Sequence, residues 1–148
     1  MRNTTFETQH SDGSQETLLH LKLEGLLPAN QELVVNPAQG TATVLSYDSE
    51  SKTEVVQQQH FSPNGMLVLV PLLQAYPHMC PHAALFAHLC SLPLDQAYQQ
   101  ILENRSLTIP SVYYAISTLP VRLRAFGWGV SCVIGHGYLL HTLALEDG

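Results

Sequence analysis

Between Leu19 and Leu23, apolar Leu19, Leu21 and Leu23 alternate with polar His20 and Lys22. That period of two marks a strand with one buried face. Residues 33–36 and 41–47 predict two further short strands, separated by Pro37-Ala38-Gln39-Gly40, a turn sequence. Residues 48–52 read as a solvated hairpin tip, and 53–59 complete an antiparallel sheet. A row of strands before any helix predicts an α+β fold rather than a parallel βαβ sheet. The polar residues 1–17, rich in Ser, Thr, Gln, Asn and acids, are expected to be a disordered tail.

The period then lengthens. Residues 64–75 predict a helix that is apolar on almost every face, capped by Asn64 and interrupted by Pro71. Pro81 can open a second helix through Cys90, and 94–103 predict a third, with Ala97, Ile101 and Leu102 set against Gln and Glu. From Ser111 onward, Val112, Ile116, Leu119, Leu123 and Phe126 fall on one stripe of a helix running to about residue 126. Gly127 suits the left-handed residue that ends such a helix. Residues 130–134 and 138–142 are strand-like, joined across Gly135-His136-Gly137 as a hairpin. The predicted layout is a sheet over 18–60, helices over 64–126 and a hairpin over 130–142, in one domain spanning 18–143.

Composition narrows the class. Apolar residues make up 45% of 148, enough for a globular core and too many for a disordered chain. The longest apolar run, residues 66–73, is far too short to span a membrane. The polar first 20 residues carry no signal-peptide pattern. Three cysteines fit a reducing cytoplasm better than a disulfide scaffold. A net charge of −6 argues against nucleic-acid binding, but the distribution argues the other way. Between Arg105 and His141 there is no acid, only Arg105, Arg122 and Arg124 with His136 and His141.

The strand-rich start ELVVNPAQGTATV, the central FSPNGMLVLVPLLQAYP, the helix VYYAISTLPVRL and the hairpin CVIGHGYLL follow one another in an order that carries a resemblance. From about residue 32 to 140 the chain resembles the DNA-binding effector domain of OmpR/PhoB-type response regulators. The resemblance implies a winged helix-turn-helix: an N-terminal antiparallel β-sheet, three or four helices and a C-terminal β-hairpin wing. It takes in no receiver domain, so a phosphorelay input would not act inside these residues. The helix over 111–124 would lie in the major groove of duplex DNA and the wing in the minor groove. Carried over residue by residue, Tyr114 and Thr118 fall on base-reading positions and Ser117 on a phosphate-contact position. Ser111 opens the helix, Tyr113 can stack on or hydrogen-bond to bases, and Arg122, Arg124 and His136 can approach phosphates. The implied role is transcription regulation, with RNA polymerase as a second partner through residues 92–109.

The chain departs from the family at Ala115, Ser117, Thr118, Pro120 and Ile134, where basic residues are usual. Phosphate neutralisation supplies much of the affinity, so weak binding with a shallow salt slope is expected. A second reading rests on residues 55–94, which contain no Asp, Glu, Lys or Arg. Exposed uncharged helices suit a protein interface, so a degenerate winged helix serving in interaction or homodimerisation is the alternative. His78, Cys80 and His82, with His88 and Cys90, have metal-ligand chemistry but lack zinc-site spacing, so no metal or cofactor is expected. Trp128 is better placed as a packing residue than as a recognition aromatic. No nucleophile elbow, Walker loop or zincin motif points to an enzyme.

Overall fold

A computed structural model describes residues 3–9, 15–48 and 52–143. The architecture is α+β, and the chain divides into two compact units, 1–61 and 62–148, where the sequence pattern suggested one. In each unit the elements find their partners within the same stretch of chain.

The first unit is an antiparallel sheet of β1 (Asn3–Gln9), β2 (Gln15–Leu21), β3 (Gln31–Asn36), β4 (Thr41–Tyr47) and β5 (Thr53–His60), paired in sequence order. Strand β1 lies in the stretch expected to be disordered: its backbone pairs with β2 from Asn3↔Leu21 to Gln9↔Gln15. Period-two patterning cannot reveal such a polar strand, whose ladder bonds are made by the backbone alone. Residues 1–2 and 10–14 of that expectation, and most of the 48–52 tip, lie outside the described residues.

The alternation read from the sequence sets the buried face. Leu19 pairs with Val35, Leu21 with Leu33, Leu33 with Val44 and Val35 with Ala42, and all six side chains are buried. Each buried aliphatic of this size contributes about 1.5–3 kcal/mol. The turn before β4 uses Gly40 at φ +70°, as its sequence predicts. Edge strand β5 is mostly exposed, and its register shifts between Val44 and Leu45, so Val56 stands unpaired in the ladder. A bulge of this kind twists an edge and blunts it against further strand addition.

The second unit begins with α1 (Pro63–Ala75). Ser62 is its N-cap, accepting a hydrogen bond from the Gly65 N–H at 3.1 Å, with Pro63 in the first turn. The cap therefore lies two residues before Asn64, because Pro63 needs no hydrogen-bond acceptor at that position. Helix α1 carries Pro71 within it. The short β6 (Cys80–Pro81) follows, then α2 (His82–Cys90), closed by Ser91 in the left-handed conformation, and α3 (Leu94–Glu103). In α3, Ala97 and Ile101 are buried as expected, but Leu102 is 82% exposed.

The expected helix over 111–126 is instead two. Helix α4 (Arg105–Ile116) starts six residues early and carries Pro110, and α5 (Pro120–Arg124) is a separate short helix. The break has a local cause. Pro120 has no N–H for the Ile116 carbonyl, which accepts from Leu119 instead at 2.9 Å. The hydroxyls of Ser117 and Thr118 bond back to the Tyr114 and Ala115 carbonyls at 2.6 and 2.7 Å. Such bonds compete with the helical ladder. Pro120 then restarts helix in the first-turn position that tolerates it. The apolar stripe survives the break: Val112, Ile116, Leu119 and Leu123 are all buried.

Helix α5 ends at Arg124, and Gly127, at φ +82°, closes the turn that follows it. Strands β7 (Trp128–Val133) and β8 (Gly137–Thr142) form the expected hairpin, and β6 adds to it, giving an antiparallel sheet in the order β6-β8-β7. Trp128 is a packing residue, 1% exposed and stacked on Phe126 at 4.9 Å. None of the described helices is long and apolar enough to cross a membrane.

Candidate nucleic-acid interface

The outward side of α4, α5 and the hairpin holds the residues singled out from the sequence. Tyr113 and Tyr114 project from α4, 57% and 69% exposed, with their rings edge to face at 5.9 Å. Aromatic surface of this extent next to polar groups suits stacking or hydrogen bonding to another molecule. Ser111 is exposed, but its hydroxyl donates to the Leu107 carbonyl at 2.8 Å. Ser117 is exposed at the end of α4, with its hydroxyl likewise turned to backbone.

Thr118 is exposed as well, with its hydroxyl beside the start of α1. Its Oγ1 would lie 2.8 Å from a Cβ placed on Gly65, so it packs against the start of α1. Gly65 is what lets the two segments approach. Arg122 and Arg124 are exposed on α5, past the break. His136 sits in the hairpin turn, which is pinned on two sides: its N–H donates to the Val133 carbonyl at 2.9 Å, and its carbonyl accepts from the His82 N–H at 3.1 Å.

One cleft brings part of this set together. It has a volume of about 390 Å³ and runs between α4 and the hairpin, with Arg105, Tyr113 and Tyr114 on one side and Cys132, Ile134 and Gly135 on the other. His82 and Tyr138 also line it, their rings edge to face at 5.5 Å. Ser111, Ser117, Thr118, Arg122, Arg124 and His136 are not among its lining residues. Arg105 joins the site only because α4 starts early. The sequence signal was present, since Arg105 opens the acid-free stretch, but a helix starting at Ser111 left it outside. His82 and Cys132 had no sequence signal connecting them to α4.

Electrostatics around the cleft are one-sided. Among the described residues, Arg105, Arg122 and Arg124 form no ion pair with a carboxylate. Burial, then electrostatic interaction with Arg105 and His136, holds the His82 ring below the ordinary histidine value and disfavours its charged form. Burial, then Cys132, raises the Tyr138 hydroxyl above its ordinary value.

The other candidate centres carry less chemistry. Burial pushes the Cys80 thiol up to about 11, which leaves it an unreactive core group. Among the described residues, no three or more His, Cys, Asp or Glu gather at metal-holding distance. In the first unit, Glu32 accepts hydrogen bonds from Tyr47 and His20, the latter at 2.9 Å, and lies 3.7 Å from Lys22. That network cross-links β2, β3 and β4 on the face opposite the apolar one. A separate groove of about 540 Å³ is lined by Leu67, Ala84, Ala87, His88, Ser91, Leu92 and Leu94, all within the uncharged stretch. Comparison with protein-family models, curated proteins and solved structures finds no match to this chain.

Proposed function

We propose that residues 18–143 form a winged helix-turn-helix with an N-terminal sheet, as the resemblance to OmpR/PhoB-type effector domains implies, and that its helices and hairpin within 62–143 bind duplex DNA and regulate transcription in the cytoplasm. The observation that carries this reading is the acid-free outward surface, in which exposed Tyr113 and Tyr114 on α4 flank the hairpin turn. The order helix, short strand, helices, hairpin, with the short strand added to the hairpin, supports the winged-helix assignment. In this reading α4 enters the major groove and the hairpin the minor groove. Tyr113 and Tyr114 face bases, while Arg105, Arg122, Arg124 and His136 face phosphates. Ser111 and Ser117 contribute at the two ends of the exposed α4 surface, and exposed Thr118 takes the base-reading position that the resemblance implies.

Few cations means modest affinity. Three arginines neutralising three phosphates give a slope of log K against log salt no steeper than about −3, shallow for a DNA-binding protein. Fluorescence anisotropy with a random duplex of about 30 base pairs, titrated at several salt concentrations, tests the reading. Binding that weakens along that slope, and further in Arg122→Ala/Arg124→Ala, supports it. A folded sample that fails to bind at low salt would remove it.

The groove beside α1 and α2, together with Leu94, Tyr98, Leu102 and Leu107 at 50–82% exposure, favours a second reading. In it the same surface serves homodimerisation or contact with RNA polymerase, and DNA affinity is slight. The 92–109 segment assigned to polymerase contact is helical over most of its length, in α3 and the start of α4. It therefore presents a preformed surface. Sedimentation at low and high protein concentration separates dimer formation from DNA binding.

A further inference from the structure

We propose that the cleft between α4 and the hairpin is a binding site for a small aromatic carboxylate, with Arg105 holding the carboxylate and Tyr113, Tyr114 and Ile134 enclosing the ring. The inference stands on the cleft itself and does not require that the protein bind DNA. At about 390 Å³ the volume suits a small ligand. The lining is mostly apolar or aromatic, with Ile109, Pro110, Tyr113, Tyr114, Ile134 and Tyr138, and its polar groups converge from several elements.

The charge selects the ligand. Arg105 is the one lining residue with a fixed charge, it is exposed, and it has no carboxylate partner among the described residues. No acid lines the cleft, and none occurs in the first turn of α4. A guanidinium beside aromatic rings recognises a planar carboxylate through paired N–H donors, and the rings add stacking area. His82 forms part of the wall as a buried ring, 8% exposed, held edge to face against Tyr138 at 5.5 Å, so it backs the ligand space with a rigid surface.

His82 also gives the site a pH response. In the free protein burial, Arg105 and His136 disfavour its charged form, and Cys132, Tyr113, Tyr114 and Tyr138 are the other titratable groups lining the cleft. A bound carboxylate offsets the charge of Arg105 and favours the protonated ring. Binding is therefore linked to proton uptake, and affinity rises as pH falls toward the free ring's own value, which lies below 6.5.

Titration of the full chain with 2-naphthoate, followed by amide and histidine-ring NMR, tests the site. The expected result is saturable binding with a Kd of about 0.1–1 mM, modest as befits an open cleft. Shifts should be confined to the cleft residues and include the His82 ring. The uncharged 2-naphthamide and Arg105→Gln should each weaken binding about tenfold or more, since each removes the charge-assisted contact. Arg105 is exposed, so that variant leaves the core intact. No saturation, shifts centred elsewhere, or equal affinity for the amide would overturn the proposal. So would displacement of 2-naphthoate by inorganic phosphate at comparable concentration, which would mark a simple anion site rather than one for an aromatic carboxylate.

Discussion

Replacing Gly137 by alanine should destabilise the helical unit by about 2–4 kcal/mol, because β6 and β8 approach too closely there for any side chain. A Cβ on Gly137 would lie 2.0 Å from the Cys80 carbonyl oxygen and 2.8 Å from both the Cys80 carbonyl carbon and the Pro81 Cα. All three are backbone atoms, so no rotamer change relieves the clash. The strands must separate by about 1 Å to restore contact distance, which disrupts the Pro81↔Gly137 and Cys80↔Tyr138 pairing. Each backbone hydrogen bond lost costs about 1 kcal/mol net, and overpacking strain adds about 1–3 kcal/mol. Gly135→Ala is the control: its φ is +80°, yet nothing lies within 4 Å of the added Cβ. That change should cost about 1 kcal/mol, from backbone conformation alone. Urea unfolding followed by tryptophan fluorescence reads both variants directly, since the single Trp128 lies on β7 of the same sheet. Thermal midpoints should fall by roughly 5–15 °C for Gly137→Ala. If Gly137→Ala were no more destabilising than Gly135→Ala, the close approach of β6 to β8 would be wrong.

Trp128→Ala empties a site 1% exposed and removes the stack on Phe126, so circular dichroism unfolding should show a loss of about 3–5 kcal/mol; a loss under about 1 kcal/mol would contradict the packing role. Burial first, then the hydrogen bond and charge of Glu32, raise Tyr47 to about 12, so Glu32→Gln should lower the tyrosinate midpoint toward 10.0, read as an ultraviolet difference against the unaltered protein. Burial by itself would raise Glu32, but the bonds from Tyr47 and His20 and the charges of His20 and Lys22 outweigh it and hold it below 4.5. The stabilisation from Glu32 is thus present above pH 4.5 and lost as pH falls through its folded value, while that from Tyr47 is present below pH 10.0 and lost as pH rises toward 12. Denaturant midpoints across pH should trace both losses, and Glu32→Gln should abolish the acid one. Alkylation of the folded protein at mildly alkaline pH should label exposed Cys90 and Cys132 and spare buried Cys80, as mass spectrometry of the digest would show.

Which faces are buried can be read from the order of residues alone. Alternation at Leu19 and Leu21, the stripe Val112, Ile116, Leu119 and Leu123, and the turn glycines Gly40 and Gly127 all report on neighbours a few residues away, where period and backbone freedom suffice. The hairpin was legible for the same reason. Tertiary structure decided what depends on distant partners or on competition between near-equal local bonds. Strand β1 has no apolar period, and β6 is two residues long and exists as a strand only because β8 lies beside it. The stripe reads through the break at 117–119, because a tight turn keeps its phase while the hydroxyls of Ser117 and Thr118 and the missing N–H of Pro120 end the helix. That break moves Arg122 and Arg124 onto α5, and the early start of α4 brings Arg105 to the cleft. His82, Arg105, Tyr113 and Ile134 share its walls although they come from α2, α4 and the hairpin turn. No periodicity encodes that meeting, because it is set by how helices and hairpin pack rather than by the order of residues within any one of them.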